Sequence, residues 1–155
     1  MKSSVVRLSV AVLAASLMLV ALPAPLAMAA GPFQYHSLTP CRAVDTRSTQ
    51  APAMNDGQTR TFSIQGVCGV PAGAKAVSLN VTAVGPTGLG FLTLFPAGTT
   101  QPVVSNLNYS AFEPALGNGA IVPVGAAAPD LSVFSRVNAA GGTVNVVIDV
   151  TGYFQ

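Results

Sequence analysis

The chain has no tryptophan, a single histidine (His36), two cysteines and little charge, with seven basic and five acidic residues making 8% of its 155 positions. Ordinary soluble domains carry about 25% charged residues. One histidine and one cysteine pair cannot assemble the four ligands of a usual zinc site. Disorder is excluded too, because it needs high charge and few β-branched residues. Also missing are any heptad, internal repeat or linker, and any helix-length run with apolar residues spaced three and four apart.

What stands at the start is an export signal. Lys2 and Arg7 precede an apolar run from Leu8 to Leu22, then Pro23 and Pro25 break it, and Ala27-Met28-Ala29 offers small residues to a signal peptidase. Residues 1–30 are therefore expected to be a secretory signal peptide, cleaved after Ala29 or Ala30. The apolar run falls short of the roughly 20 residues a spanning helix needs, so no retained membrane anchor is expected. Removing Lys2 and Arg7 leaves five basic residues against five acids, a formally neutral mature chain. Nucleic acid would need a basic stripe to displace counterions, and none remains.

Residues 31–155 are read as one domain, all-β, an antiparallel two-sheet sandwich or jelly roll of about eight or nine strands. Short apolar or alternating runs are separated by Pro, Gly, Asn and Asp throughout. The clearest is Ala74–Val84, with Val77, Leu79, Val81 and Ala83 on one face and Ser78, Asn80 and Thr82 on the other. Phe91–Phe95 is expected to return as its hairpin partner. Ser48–Gly57 reads as an exposed loop, Val103–Tyr109 as a strand and Ala120–Val124 as a short one. Leu131–Val137 and Thr143–Phe154 read as a final hairpin, the latter with Val144, Val146, Ile148 and Val150 aligned. Two cysteines in an exported chain imply a disulfide between Cys41 and Cys68.

Leu38–Arg47 concentrates the scarce charge, holding Arg42, Asp45 and Arg47 beside Cys41. These are expected to be structural ion pairs, with Asp149 on the last strand as the ionic partner and the acids buried against the arginines. The motifs Thr39-Pro40-Cys41-Arg42 with Asp45-Thr46-Arg47, Cys68-Gly69-Val70-Pro71, Ser78-Leu79-Asn80-Val81-Thr82, Gly90–Gly98, Ser105–Tyr109 and Val147–Phe154 occur in that order. In this the chain resembles an uncharacterised family of secreted bacterial β-rich modules, some found beside cell-wall hydrolase domains. The resemblance implies export and attachment to a wall or matrix, and it supplies no catalytic residue.

No catalytic constellation is expected. No Gly-x-Ser-x-Gly elbow surrounds any serine, and His36 reads as a surface or hydrogen-bonding residue. Asp45 and Asp149 are the one carboxylate pair whose separation would matter for glycoside cleavage. With Asn80, Asn106 or Asn108 they could supply oxygen ligands to calcium, but no Asp-x-Asp-x-Asp spacing exists, so neither metal nor cofactor is expected. The candidate ligand face is Ser78, Asn80, Thr82, Asn106, Asn108, Tyr109, Asn145 and Thr151, polar groups able to meet sugar hydroxyls. The reading that follows is a secreted, non-catalytic module that binds or builds part of the bacterial envelope or extracellular matrix, with a cell-wall glycan as ligand. The alternative is a homo-oligomeric, pilus-like or coat-like subunit that assembles by edge-strand pairing.

Overall fold

The alternation in Ala76–Val84 translates directly into a half-buried strand: Val77, Leu79, Val81 and Ala83 are at most 2% exposed while the residues between them stay partly open. A computed structural model describes residues 32–155, so the expected signal peptide lies outside the described residues. Residues 31–155 cluster as one unit. The described strands are β1 (Tyr35–Asp45), β2 (Met54–Asn55), β3 (Thr59–Phe62), β4 (Ala76–Val84), β5 (Gly90–Pro96), β6 (Leu107–Tyr109), β7 (Ala115–Pro123), β8 (Leu131–Val137) and β9 (Thr143–Phe154).

They form two antiparallel sheets. The first runs β1-β9-β4-β7, with β2 pairing the start of β9, and the second runs β3-β8-β5-β6. Between them lies one core, built from Val77, Leu79, Val81, Val144, Val146, Ile148 and Val150 on one side and Leu92, Leu94, Leu107, Leu131, Val133 and Val137 on the other. This is the expected all-β sandwich, with nine strands among the described residues.

The two expected hairpins do not form. β5 pairs β8 and β6, while β4 pairs β9 and β7, so the turn after Val84 carries the chain from one sheet to the other. The same crossing separates β8 from β9. Period two reveals which face of a strand is buried, but neighbours are chosen by packing across the core.

Three segments differ locally. The loop expected over Ser48–Gly57 contains β2, whose Met54 is fully buried in the core. Only Leu107–Tyr109 of the Val103–Tyr109 run is strand, because Thr93 and Leu94 of β5 hold the preceding loop: Thr93 Oγ1 donates to the Val104 carbonyl and Leu94 N donates to Asn106 Oδ1. β7 is longer than expected because Gly117 and Gly119, which read as breaks, are accommodated within a nine-residue ladder to β4.

Cys41 and Cys68 are bonded, with their Cα atoms 5.6 Å apart, and the bridge ties β1 to the corner before β4. β1 continues through Pro40 because its register against β9 shifts between Ser37 and Cys41, where no ladder donor is needed.

Candidate functional site

Directly opposed residues of antiparallel strands share a face, so the register lays out the outer surface of the first sheet row by row. Arg42, Asp149, Asn80 and Gly119 make one row. Asp45, Val147, Thr82 and Gly117 make the next, and Ser37, Gly152, Ser78 and Ile121 lie on the other side. Thr151 sits in a bulge between the Ser78–Gly152 and Leu79–Val150 pairs.

At the β1 edge the four charged residues form an alternating chain. Arg42 grips Asp149 with both fork positions, Nε to Oδ1 at 2.9 Å and Nη2 to Oδ2 at 3.0 Å, and its Nη1 lies 3.5 Å from Asp45 Oδ2. Arg47 holds Asp45 in the same bidentate way, at 2.9 and 2.6 Å, and its backbone N–H donates to Asp45 Oδ1. The Arg47 fork holds the Asp45 carboxyl down at about 2, and the same pairings raise both arginines. The partners are those expected from sequence, and Asp45 is buried as expected, at 8%, whereas the Arg42 and Arg47 side chains that hold it are 50% and 43% exposed. Strand β1 runs along the sheet edge, and its outward residues face solvent.

The acid that is wholly buried is Asp130, directly before β8. Its oxygens accept the backbone N–H groups of Ile64 and Gln65, each at 2.8 Å, and so tie the end of β3 to the start of β8. The signal was an acid placed directly before the apolar run Leu131–Val137 in a chain with few acids.

The middle of the face is polar and uncharged. Ser78 Oγ and Thr151 Oγ1 lie 3.0 Å apart, and Asn80 Nδ2 donates to Thr82 Oγ1 at 3.0 Å. Beside them, Ser78, Asn80, Thr151, Gly119 and Ile121 line an open depression of about 500 Å³. A β-carbon at Gly119 would meet no atom within 4 Å, so this floor is free space.

One side of the face carries aromatic rings. The Tyr35 ring lies over Gly152, where an added β-carbon would come 2.5 Å from ring atoms, and its hydroxyl donates to the Thr151 carbonyl at 3.3 Å. Phe154 packs beside it, ring centroids 5.2 Å apart. Tyr35 is half exposed. Tyr35, Tyr109 and Tyr153 are the chain's three tyrosines and could each supply an aromatic platform; the β1–β9 register is what brings Tyr35 diagonally over Gly152.

The expected ligand face divides. Ser78, Asn80, Thr82 and Thr151 share the outer face of the first sheet, with Asn145 farther along β9, where its Oδ1 accepts from Thr46 Oγ1. Asn106 and Asn108 belong to the second sheet's side. Asn106 anchors its loop to β5, and Asn108 lines a separate depression of about 430 Å³ with Phe91, Val103 and Val104. Tyr109 does not belong to a ligand face: its side chain is 5% exposed in the core, its hydroxyl donates to the Arg136 carbonyl, and burial pushes it to about 12. Odd and even positions of β6 point to opposite faces, which puts Tyr109 inward and Asn108 outward.

His36 is stacked on Tyr153, centroids 4.8 Å apart, away from the ionic chain and near the other end of β1. Among the described residues, no group of three or more His, Cys, Asp or Glu side chains could hold a metal ion. Among the same residues, no helix is long and apolar enough to cross a membrane.

No family model and no curated protein matches the chain. Among solved structures, the Tobacco streak virus coat protein dimer aligns over 79% of this chain and 88% of its own, at 9% identity and a TM-score of 0.39. A likeness of that size carries no functional argument.

Proposed function

We propose that this is a secreted, non-catalytic module that binds an extended carbohydrate of the bacterial envelope or extracellular matrix on the outer face of the β1-β9-β4-β7 sheet. The observation that carries this reading is the juxtaposition of the Tyr35 and Phe154 rings with the Ser78, Thr151 and Asn80 side chains beside a glycine floor. A pyranose ring has an apolar C–H face, which suits an aromatic surface, and a rim of hydroxyls, which suits short hydroxyl and amide side chains. The volume falls within the range of ligand sites, about 300–1,000 Å³. Its openness favours a polymer lying along the sheet over an enclosed small molecule.

The non-catalytic part rests on how the charges are used. Both outer-face carboxylates, Asp45 and Asp149, are held by arginine forks, which leaves neither poised as an acid or a base. The disulfide accords with an oxidising, extracytoplasmic location.

A glycan array and sedimentation with purified peptidoglycan test the reading. Binding that is lost in both Tyr35→Ala and Asn80→Ala, with their melting temperatures kept, is the expected result. Failure to bind any glycan or peptidoglycan, or undiminished binding by both variants, overturns it.

A further inference from the structure

Of the two edge strands of the first sheet, β1 and β7, the second is unusually bare. β7 reads Ala115-Leu116-Gly117-Asn118-Gly119-Ala120-Ile121-Val122-Pro123, nine residues without a charge and without proline until the last position. On one side it pairs β4 along its full length, and among the described residues no other backbone hydrogen bond is made by positions 115–123. Every second N–H and C=O of an edge strand points away from its neighbour and remains free to pair. Edges are normally protected by lysine, proline, bulges or very short strands, and β7 has none of these before Pro123.

We infer that β7 is a self-recognition edge, on which a second copy of this chain adds its own β7 antiparallel across a two-fold axis at Gly119. In that register Leu116 meets Val122 of the second copy, Gly119 meets its own copy, and Ile121 meets Gly117. Ile121 is 64% exposed, a large apolar side chain, and it would meet Gly117, which projects no side chain of its own; Asn80 and Thr82 stand 3.2 Å from where a β-carbon of Gly117 would be and give Ile121 a surface to rest on. The pairing thus sets a projecting residue against a glycine twice, once on each side of the axis. A two-fold interface sets residues near the axis against their own copies, so a charge there would meet a like charge. β7 carries none, so this edge is free of the repulsion that penalises most self-pairings.

Nine residues make an edge of about 30 Å. That is a narrow strip compared with the roughly 800 Å² per partner of a standard stable interface, so the dimer is dissociable and concentration-dependent. It would join two first sheets into one continuous surface, with the outer faces side by side. The inference stands on the edge itself and does not depend on what that surface binds.

Sedimentation velocity of the purified protein over micromolar to millimolar concentrations tests it, in the absence of any glycan. The expected result is a monomer–dimer equilibrium that shifts at least tenfold toward monomer in Ile121→Lys. Gly119→Cys, whose β-carbon meets nothing in the monomer, is expected to form a dimer-linking disulfide on mild oxidation, whereas Thr99→Cys on a distant turn is not. A monomer across the whole range overturns the inference. So does a dimer that Ile121→Lys leaves intact and Gly119→Cys fails to cross-link.

Discussion

The ring of Tyr35 occupies the space that a side chain at residue 152 would need. An added β-carbon on Gly152 would stand 2.5 Å from the ring's outer atoms, and the tyrosine hydroxyl reaches the neighbouring Thr151 carbonyl. The two residues lie on a diagonal of the β1–β9 ladder, so the glycine is the seat of the ring and the ring is the glycine's cover.

Gly152→Ala should therefore move the tyrosine without unfolding the domain. The clashing atoms are the far end of a half-exposed side chain that can swing into solvent, so the stability change should stay within about 1 kcal/mol. Glycan binding should fall as far as it does in Tyr35→Ala. Denaturant titration and a binding assay on both variants check this, and a Gly152→Ala protein that binds normally would break the link between seat and ring.

The disulfide closes a loop with a sequence separation of 27 residues. In the chain-entropy account such a closure stabilises by about 3–4 kcal/mol. A Cys41→Ser/Cys68→Ser double variant should show that loss in urea titrations, and the parent should melt lower with reductant. Superimposable melting curves with and without reductant would contradict it.

Acid should weaken the β1 edge through Asp45. Its carboxyl sits at about 2 against an ordinary 3.8, chiefly through the Arg47 fork, so the folded state holds the proton less well than the unfolded chain. That contribution is fully present above about pH 4 and fades as pH falls toward 2. Asp45→Asn should flatten this part of the stability–pH profile, and added salt should shrink it because the arginines are half exposed. An unchanged profile in Asp45→Asn would assign the acid sensitivity elsewhere.

Asp130 should matter more for folding than any member of the ionic chain. Replacing it with alanine leaves the Ile64 and Gln65 N–H groups buried without their acceptor, at about 1–3 kcal/mol each. Asp45→Ala, which leaves arginines that are already half exposed to water, should cost less. Equilibrium unfolding of the two variants gives the ranking, and a larger loss at Asp45 would reverse it.

The sequence disclosed most where one face of a strand is apolar and the other polar. β4 and β9 follow the reading residue by residue, including the outward Val147 that interrupts the polar side of β9. The Arg42–Asp149 pair was also legible, since few charges leave few partners. Strand neighbours were not. Val84 and Gly90 are close in sequence yet enter different sheets, and nothing local distinguishes a crossing turn from a hairpin. β7 was half hidden because glycines at 117 and 119 erase the alternation that marks a strand. Which of Tyr35, Tyr109 and Tyr153 flanks the face was not legible, because that needs the β1–β9 register and its shifts around Pro40, which depend on distant packing.

Among the described strands, β9 has the most sheet neighbours. β9 lies between β1 and β4 and also receives β2, so three earlier strands wait for residues 143–154 before the first sheet can close. β1 therefore has no sheet partner until β9, about a hundred residues further along the chain, is in place. Closing that sheet is thus a matter of long-range contacts, and a change that keeps β9 from ordering would leave β1 stranded with its β-ladder unmade.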